Sequence, residues 1–88
     1  MMSKDHLLLK WGTIKGYHVS DPHAKELIKR YIELGASASA MLQEDTPEQK
    51  DILCELITIH EGRIENDWSG EEYTKAQAIE YIRNYSRR

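Results

Sequence analysis

The chain has 88 residues and a mass of 10.3 kDa, which suffices for one hydrophobic core but not for a typical two-domain enzyme with a cleft between its halves. With 40% hydrophobic and 31% charged residues, the composition is that of a globular domain and excludes a fibrous or largely disordered chain. The formal net charge of −3 has the wrong sign for broad neutralisation of phosphates, so nucleic acid is a disfavoured partner.

The sequence indicates a soluble cytoplasmic protein. Its apolar run Leu7–Leu9 is too short to cross a bilayer, and no apolar stretch resembles a secretory signal, so we expect no membrane association. The single cysteine, Cys54, cannot form an internal disulfide, which agrees with a reducing compartment. We expect one globular domain over residues 1–88, flexible at residues 1–6 and 87–88.

The first third of the chain predicts β-structure followed by a helix. Residues 7–19 are rich in strand-forming residues interrupted by glycine, which predicts one bent strand or a short hairpin. Asp21 and Pro22 are typical of an N-cap and a first helical residue, and Gly35 is expected to end this helix. Its predicted inner face consists of the apolar residues at helical spacing: Ala24, Leu27, Ile28, Tyr31 and Ile32.

Two capping boxes predict the other helices. Thr46 and Gln49 form the first box, which opens a helix with a wide apolar arc that we expect to be central. Thr74 and Gln77 form the second box. Residues 36–44 are compatible with a short helix or with a packed connector. The predicted buried positions of these two helices are Ile52, Leu53, Leu56, Ile57, Ile59, Ala78, Ile79, Ile82 and Tyr85.

The alternation of apolar and polar residues over 64–68 predicts a strand with one buried side, on which Ile64, Asn66 and Trp68 would lie. The order of elements therefore predicts an α+β domain, with three main helices packed on a small, two- or three-stranded antiparallel sheet. So small a sheet has open edges, and strand pairing between copies can cover them. We expect a homodimer or a higher homo-oligomer.

The carboxylates and the cysteine are better explained by structure than by chemistry. Glu65 and Asp67 would project from the same side of a strand, as coupled catalytic carboxylates do, but a solvated strand face has the same pattern. Cys54, close to Leu53 and Leu56 and with no histidine or basic residue next to it in sequence, is predicted to be a small buried hydrophobe.

The histidines do not predict a metal site, because the chain has no H-x-x-x-H or C-x-x-C spacing and Cys54 has no paired thiol. His60, close to a predicted helix C-terminus, is explained by attraction of an imidazolium to the helix dipole. We expect no metal, no cofactor and no enzymatic activity. A small hydrolase or metal enzyme that uses Glu65, Asp67 and a histidine is the least favoured hypothesis. The four histidines are His6, His18, His23 and His60.

The segment from Lys10 to Tyr17 is the main candidate for a binding site. Its glycines let a ligand approach the backbone, its lysines supply charge, and its aromatic rings supply stacking faces. An edge strand protected by lysines would have a similar sequence. Arg63 is added as a possible anion contact, and no residue is predicted to be catalytic. The predicted ligand-binding or partner-binding residues are Lys10, Trp11, Lys15, Tyr17, Arg63 and Trp68.

Residues 31–43 show a loose helix-turn-helix pattern, with a helix, a glycine in the turn and small residues after it. The cationic residues Lys25, Lys29 and Arg30 add to this pattern, so a small DNA-binding regulator is one alternative. Tyr31 stands where such motifs usually have alanine, and Pro47 leaves room for only a very short recognition helix.

The chain contains six short motifs that are considered together: K-W-G-T, L-G-x-S-x-S-A-M, D-T-P-E-Q-K, I-L-C-E-L-I, D-W-x-G and Y-T-K. With these motifs, the chain resembles small uncharacterised accessory proteins of tailed bacteriophages from about Leu8 to Tyr85. They are structural caps and core positions, so the resemblance transfers no active-site residue. It implies an accessory protein made in the cytoplasm of an infected bacterium.

The function we expect is therefore non-enzymatic binding. The resemblance implies stoichiometric binding of a host or defence protein, that is, host-virus interaction and counter-defence. Sequestration of a nucleotide or a phosphorylated signalling ligand is an alternative. The absence of a recognisable catalytic constellation and the abundance of amphipathic aromatic residues favour binding over catalysis. Within this hypothesis, a protein partner is narrowly favoured over a small molecule.

Overall fold

The described strands form a mixed sheet. The computed structural model describes residues 5–10, 13–35 and 46–85. Strands β1 (Asp5–Lys10) and β2 (Thr13–His18) form an antiparallel hairpin, and β3 (Gly62–Asn66) lies parallel to β1, in the order β2-β1-β3. The hairpin confirms one of the two predicted forms. The expectation of an antiparallel sheet is wrong for β3, because the chain returns to the sheet through helices and enters it in the direction of β1.

The described helices are α1 (Pro22–Gly35), α2 (Pro47–Ile59) and α3 (Lys75–Asn84). Helix α2 contacts both α1 and α3, which confirms its predicted central position. Together with the sheet, these helices confirm the predicted α+β class. Of the segment 1–6 that is expected to be flexible, residues 1–4 lie outside the described residues, and Asp5 and His6 belong to β1 and pair with β3.

Local hydrogen bonds explain where the helices begin. The carboxylate of Asp21 accepts a hydrogen bond from the backbone N–H of His23 at 2.8 Å, as an N-cap does. In α2, Thr46 Oγ1 accepts from the backbone N–H of Gln49 at 3.1 Å, and the Gln49 side chain accepts from the N–H of Thr46 at 3.0 Å. The box that opens α3 has the same reciprocal geometry. All three predicted starts are confirmed.

One face of the sheet is buried beneath the helices, and its side chains join those of the helices in a hydrophobic core. On the other face, Lys15, Tyr17 and Arg63 are exposed. We call this second face the open face. The core side chains are Leu7, Leu9, Ile14, Ala24, Leu27, Ile52, Leu53, Cys54, Leu56, Ile57, Ile64, Ala78 and Ile82.

Two predicted burials are wrong. Ile32 is 59% exposed. The apolar residues of α1 cover a wider arc of the helix than the face that packs against the core, and Ile32 lies outside that face. Trp68 is 87% exposed, because β3 ends at Asn66 and the chain then turns away from the sheet.

The two edges of the sheet differ. The outer edge of β3 is covered by residues 71–73: the N–H of Asn66 donates to the carbonyl of Glu71 at 2.7 Å, and the N–H of Tyr73 donates to that of Ile64 at 2.8 Å. In the described ranges, no strand pairs with the outer edge of β2. This edge is where pairing with a second copy would be expected, and the homo-oligomer stays a prediction.

Candidate functional site

The structure separates the predicted binding residues into two groups. Lys10 and Trp68 line one groove at the carboxyl ends of β1 and β3, with a volume of about 380 Å³. Lys15, Tyr17 and Arg63 lie on the open face. The proximity of Lys10 and Trp68 follows from the parallel register of β1 and β3.

Some predicted features fall outside the described residues. These are Trp11, the connector at residues 36–44 and the terminal residues 87–88. The recognition helix of the helix-turn-helix hypothesis would also lie there, so DNA binding through that element stays a prediction.

Trp68 is displayed by a well-defined turn and is the most exposed large hydrophobic side chain among the described residues. The side-chain oxygen of Asn66 accepts hydrogen bonds from the backbone N–H groups of Trp68 at 2.8 Å and Ser69 at 2.9 Å. The N–H of Gly70 donates to the carbonyl of Asn66 at 2.8 Å, and Gly70 has a φ of 76°, which favours glycine. Asn66 therefore holds the turn that carries the indole into solvent.

Three tyrosines continue from Trp68 along the surface. The rings of Tyr73 and Tyr81 lie 6.1 Å apart, and those of Tyr81 and Tyr85 stack at 5.9 Å. Tyr73 and Tyr81 line both the groove beside Trp68 and a second cavity of about 480 Å³ that includes Tyr85. We call Trp68, Tyr73, Tyr81 and Tyr85 the aromatic surface.

Sequence reasoning found only part of the aromatic surface. The sequence predicts Tyr85 to be buried on the last helix and does not identify Tyr81 as part of a surface. The available signal was their spacing of four residues, which places two rings one above the other on a helix. The proximity of Tyr73 to Tyr81 depends on the chain path between β3 and α3.

The groove beside Trp68 carries opposed charges. Lys10 Nζ lies 3.9 Å from Asp67 Oδ2, and Glu71 also lines the groove. The cation predicted to attract an anionic ligand is therefore balanced by carboxylates. This environment disfavours a phosphorylated ligand and suits a surface of mixed polarity.

A chain of contacts crosses the open face. The ring of Tyr17 packs against those of His6 at 5.5 Å and His18 at 4.5 Å. His6 Nε2 lies at ion-pair distance from Glu65 Oε1, 3.2 Å, without making a hydrogen bond. The other Glu65 oxygen lies 2.9 Å from Arg63 Nη2. Arg63, predicted to contact an anion, is thus engaged by a carboxylate of its own strand.

The potential catalytic groups are dispersed. Glu65 contacts His6 and Arg63, whereas Asp67 lies beyond the end of β3 and faces Lys10, so the two are not a coupled pair. The described His, Cys, Asp and Glu side chains form no group of three that could hold a metal ion. Cys54 is buried as predicted, and burial raises the pKa of its thiol.

His60 differs from its sequence interpretation. It follows the last residue of α2 and is 3% exposed. Burial lowers the pKa of this imidazole, and opposing contributions come from the backbone of Arg63 and the charge of Asp5. The expected imidazolium at a helix C-terminus is therefore wrong, because removal from water penalises the charged ring.

This burial predicts a pH dependence of stability. Below the ordinary histidine pKa of about 6.5, unfolded His60 takes up a proton that the folded ring excludes, so the free energy of unfolding should fall as the pH drops below this value. The fall should end once the pH is below the lowered pKa of the folded protein. The change in the free energy of unfolding is measured by urea unfolding at about pH 7.5 and about pH 5.5.

The control for this dependence is His60→Gln, which keeps a polar side chain that does not titrate in this range. We expect the variant to show a smaller change between the two pH values than the unmodified protein. An exposed-site variant, His18→Gln, should retain the larger change. Equal changes in the unmodified protein and in His60→Gln would contradict the prediction.

In the part of the chain that the structure covers, no helix combines the length and apolar character needed to span a membrane.

The candidate site is an exposed aromatic surface, and its charged rim contains both a cation and carboxylates. Comparison with protein-family models, curated proteins and solved structures finds no match.

Proposed function

We propose that this chain is a non-enzymatic binding protein that binds a partner protein through the aromatic surface. The observation that carries this proposal is the 87% exposure of Trp68 on a hydrogen-bonded turn. The bacteriophage resemblance supports a setting in which the partner is a host or defence protein of the infected bacterium. In that setting the protein acts by stoichiometric binding in the host cytoplasm.

An exposed indole on a defined turn is well suited to protein recognition. Trp and Tyr contribute disproportionately to binding energy at interfaces, because they bury a large area and lose little conformational entropy. The backbone hydrogen bonds to Asn66 fix the turn before binding, which lowers the ordering cost of the complex. Tyr73 and Tyr81 extend the surface next to the anchor.

The same features define the partner. It should present an apolar pocket for the Trp68 ring, with an acceptor for the indole N–H, because a buried N–H without a partner is costly. Its rim should be polar and carry little net charge, since Lys10 faces Asp67 across the groove. A strongly anionic partner surface fits this rim poorly.

Sequestration of a nucleotide or phosphorylated ligand is the second candidate. The observation in its favour is that Lys10, Trp68 and Tyr73 line one groove, where a base could stack and a phosphate could meet an amine. Asp67 and Glu71 in the same groove oppose the phosphate, so we rank this candidate below the protein partner.

The principal prediction is that Trp68→Ala abolishes partner binding while Tyr17→Ala preserves it. Both changes remove an exposed aromatic ring, but Tyr17 lies on the open face. Loss of an anchoring tryptophan typically costs about 2–4 kcal/mol, a weakening of the Kd by at least about thirtyfold. Full-length protein and both variants are immobilised and exposed to bacterial lysate, and the retained proteins are quantified by mass spectrometry.

Support requires one protein held in stoichiometric amount by the unmodified chain and by Tyr17→Ala, and lost from Trp68→Ala. The complex is then reconstituted from purified components and its mass is measured. Retention of that protein by Trp68→Ala with unchanged affinity would reject the proposed surface. Loss from Tyr17→Ala alone would instead assign binding to the open face.

Calorimetry against mono-, di- and cyclic nucleotides separates the second candidate from the first. The protein-partner proposal expects no saturable heat across the panel. Saturable heat that both Lys10→Ala and Trp68→Ala remove would favour nucleotide sequestration. The mass of the free protein is measured alongside, because a second copy seated on the aromatic surface would give a dimer that Trp68→Ala dissociates.

A further inference from the structure

The second cavity of the aromatic surface differs from the groove beside Trp68. It has a volume of about 480 Å³ and lies along α3. Three half-buried tyrosine side chains and three exposed polar side chains line it. We call this cavity the tyrosine groove. Its lining residues are Tyr73, Gln77, Glu80, Tyr81, Asn84 and Tyr85.

Helical spacing explains why rings and polar groups share this groove. Gln77, Glu80, Tyr81 and Asn84 are separated by three and four residues, so they lie on one face of α3. Tyr85 is the C-cap of the helix, one turn after Tyr81. The two rings are stacked, with an angle of 26° between their planes and their centroids 5.9 Å apart.

Contacts with neighbouring elements fix the rings before a ligand binds. The hydroxyl of Tyr73 accepts a hydrogen bond from Asn66 Nδ2 at 3.1 Å. Lys50 Nζ donates to the backbone carbonyl of Tyr85 at 3.1 Å and so ties the C-cap to α2. A groove that is fixed in this way loses little conformational entropy when it is occupied.

The charge of the tyrosine groove favours a cation. Glu80 is the charged residue in its lining, and its carboxylate makes no hydrogen bond or ion pair with a described residue. Arg83, on the same helix, is paired with Asp51 at 2.9 Å and does not line the groove. The faces of the tyrosine rings are also electronegative, so they attract cations as well.

The hydrogen-bond acceptors indicate which cation fits. Asn84 Nδ2 donates to the backbone carbonyl of Glu80 at 3.0 Å, and the side-chain oxygen of Asn84 stays available as an acceptor. Glu80 supplies a second acceptor one helical turn away. A guanidinium group is planar, stacks on aromatic rings and presents several donors in its plane, whereas an ammonium group is a strongly hydrated point charge.

We propose that the tyrosine groove binds an arginine side chain of the partner protein, with the guanidinium group against the rings of Tyr81 and Tyr85 and paired with Glu80. The inference rests on the proposed function, because it names a residue of the partner that Trp68 anchors. Tyr73 and Tyr81 line both cavities, so one partner surface can cover the indole and the tyrosine groove together.

The first test is a nuclear magnetic resonance titration of the full chain with the blocked peptide acetyl-Gly-Arg-Gly-amide at low salt. We expect saturable shifts of the side-chain amide resonances of Gln77 and Asn84, and weaker binding as salt is added. The control peptide contains citrulline, which has the shape of arginine without its charge. It should bind at least about tenfold more weakly.

Variants of the chain locate the binding site. Glu80→Gln should weaken the affinity for the arginine peptide at least about fivefold. The matched control is Glu33→Gln, which removes the same charge from an exposed position on α1 and should change the affinity less than about twofold. Tyr85→Leu keeps an apolar side chain without an aromatic ring and should weaken binding at least about threefold, with circular dichroism as the check of folding.

Several results would overturn the proposal. They are the absence of saturable shifts, equal affinities for the arginine and citrulline peptides, and equal effects of Glu80→Gln and Glu33→Gln. Choline is titrated as a competitor, and tighter binding of choline than of the arginine peptide would replace the arginine with a quaternary ammonium ligand.

The lysate experiment separates this inference from the proposed function. Glu80→Gln should reduce the retention of the protein that Trp68→Ala loses. Unchanged retention would overturn the inference and leave the proposed function in place. If no retained protein depends on Trp68, the proposed function is rejected, and with it the assignment of the arginine to a partner. A dimer of the free protein that Glu80→Gln dissociates would assign the arginine to a second copy instead.

Discussion

Replacement of Leu56 by alanine is expected to lower the free energy of unfolding by about 3–4 kcal/mol. Leu56 is 0% exposed and lies on α2, the helix that contacts both other described helices. Truncation of a buried leucine loses the transfer free energy of the removed groups and leaves a cavity that a close-packed interior cannot fill completely. A domain of this size has a total stability of about 4–13 kcal/mol, so the loss is a large part of it.

Urea unfolding followed by circular dichroism measures the effect of Leu56→Ala. Leu34→Ala is the matched control, because Leu34 is a helical leucine with 36% exposure on α1. We expect the control to cost less than about 1 kcal/mol. A similar cost for the two substitutions would show that α2 is not the centre of the core.

Gly62→Ala is the second change with a large expected effect, about 3 kcal/mol of lost stability. Gly62 has a φ of 156°, in the range that favours glycine. An added Cβ would collide with the backbone carbonyl of Asp5 and come within 3.0 Å of His60 Nε2. Because Asp5 and Gly62 are paired in the parallel register of β1 and β3, relief of this collision requires the two strands to separate.

Gly70→Ala isolates the conformational part of this cost. Gly70 also has a positive φ, of 76°, but a Cβ there would meet no atom within 4 Å. We expect this control to lose about 1 kcal/mol, from the backbone conformation alone. Faster amide exchange in β1 and β3 should accompany Gly62→Ala only. If the two glycine variants unfold at the same urea concentration, the close approach of β1 and β3 at this point is wrong.

The helix starts could be predicted from the sequence because a cap is a local structure. Thr46 and Gln49, like Thr74 and Gln77, exchange hydrogen bonds within one turn, so their identity and spacing are sufficient. The apolar pattern of α2 is also a local property of the sequence. Apolar residues cover a wide arc of this helix, and this predicts that other elements pack on more than one of its sides.

The direction of β3 could not be predicted in this way. A short strand has the same alternation in a parallel and in an antiparallel pair, and the choice depends on how the intervening helices return the chain. The end of β3 at Asn66 likewise depends on the turn that follows. An alternating pattern extended to Trp68 therefore predicted a buried indole where the structure has an exposed one.

The sequence by itself determined the α+β class, the helix starts, most of the core and the residue types available for recognition. Only the tertiary structure decided that Lys10 and Trp68 share a groove, that Tyr73 and Tyr81 extend it, and that His60 is buried. The physical reason is how far apart in the chain the interacting residues are. Caps and periodicity arise from contacts within a few residues, whereas exposure, charge balance and the pKa of a buried group depend on segments far apart in the chain.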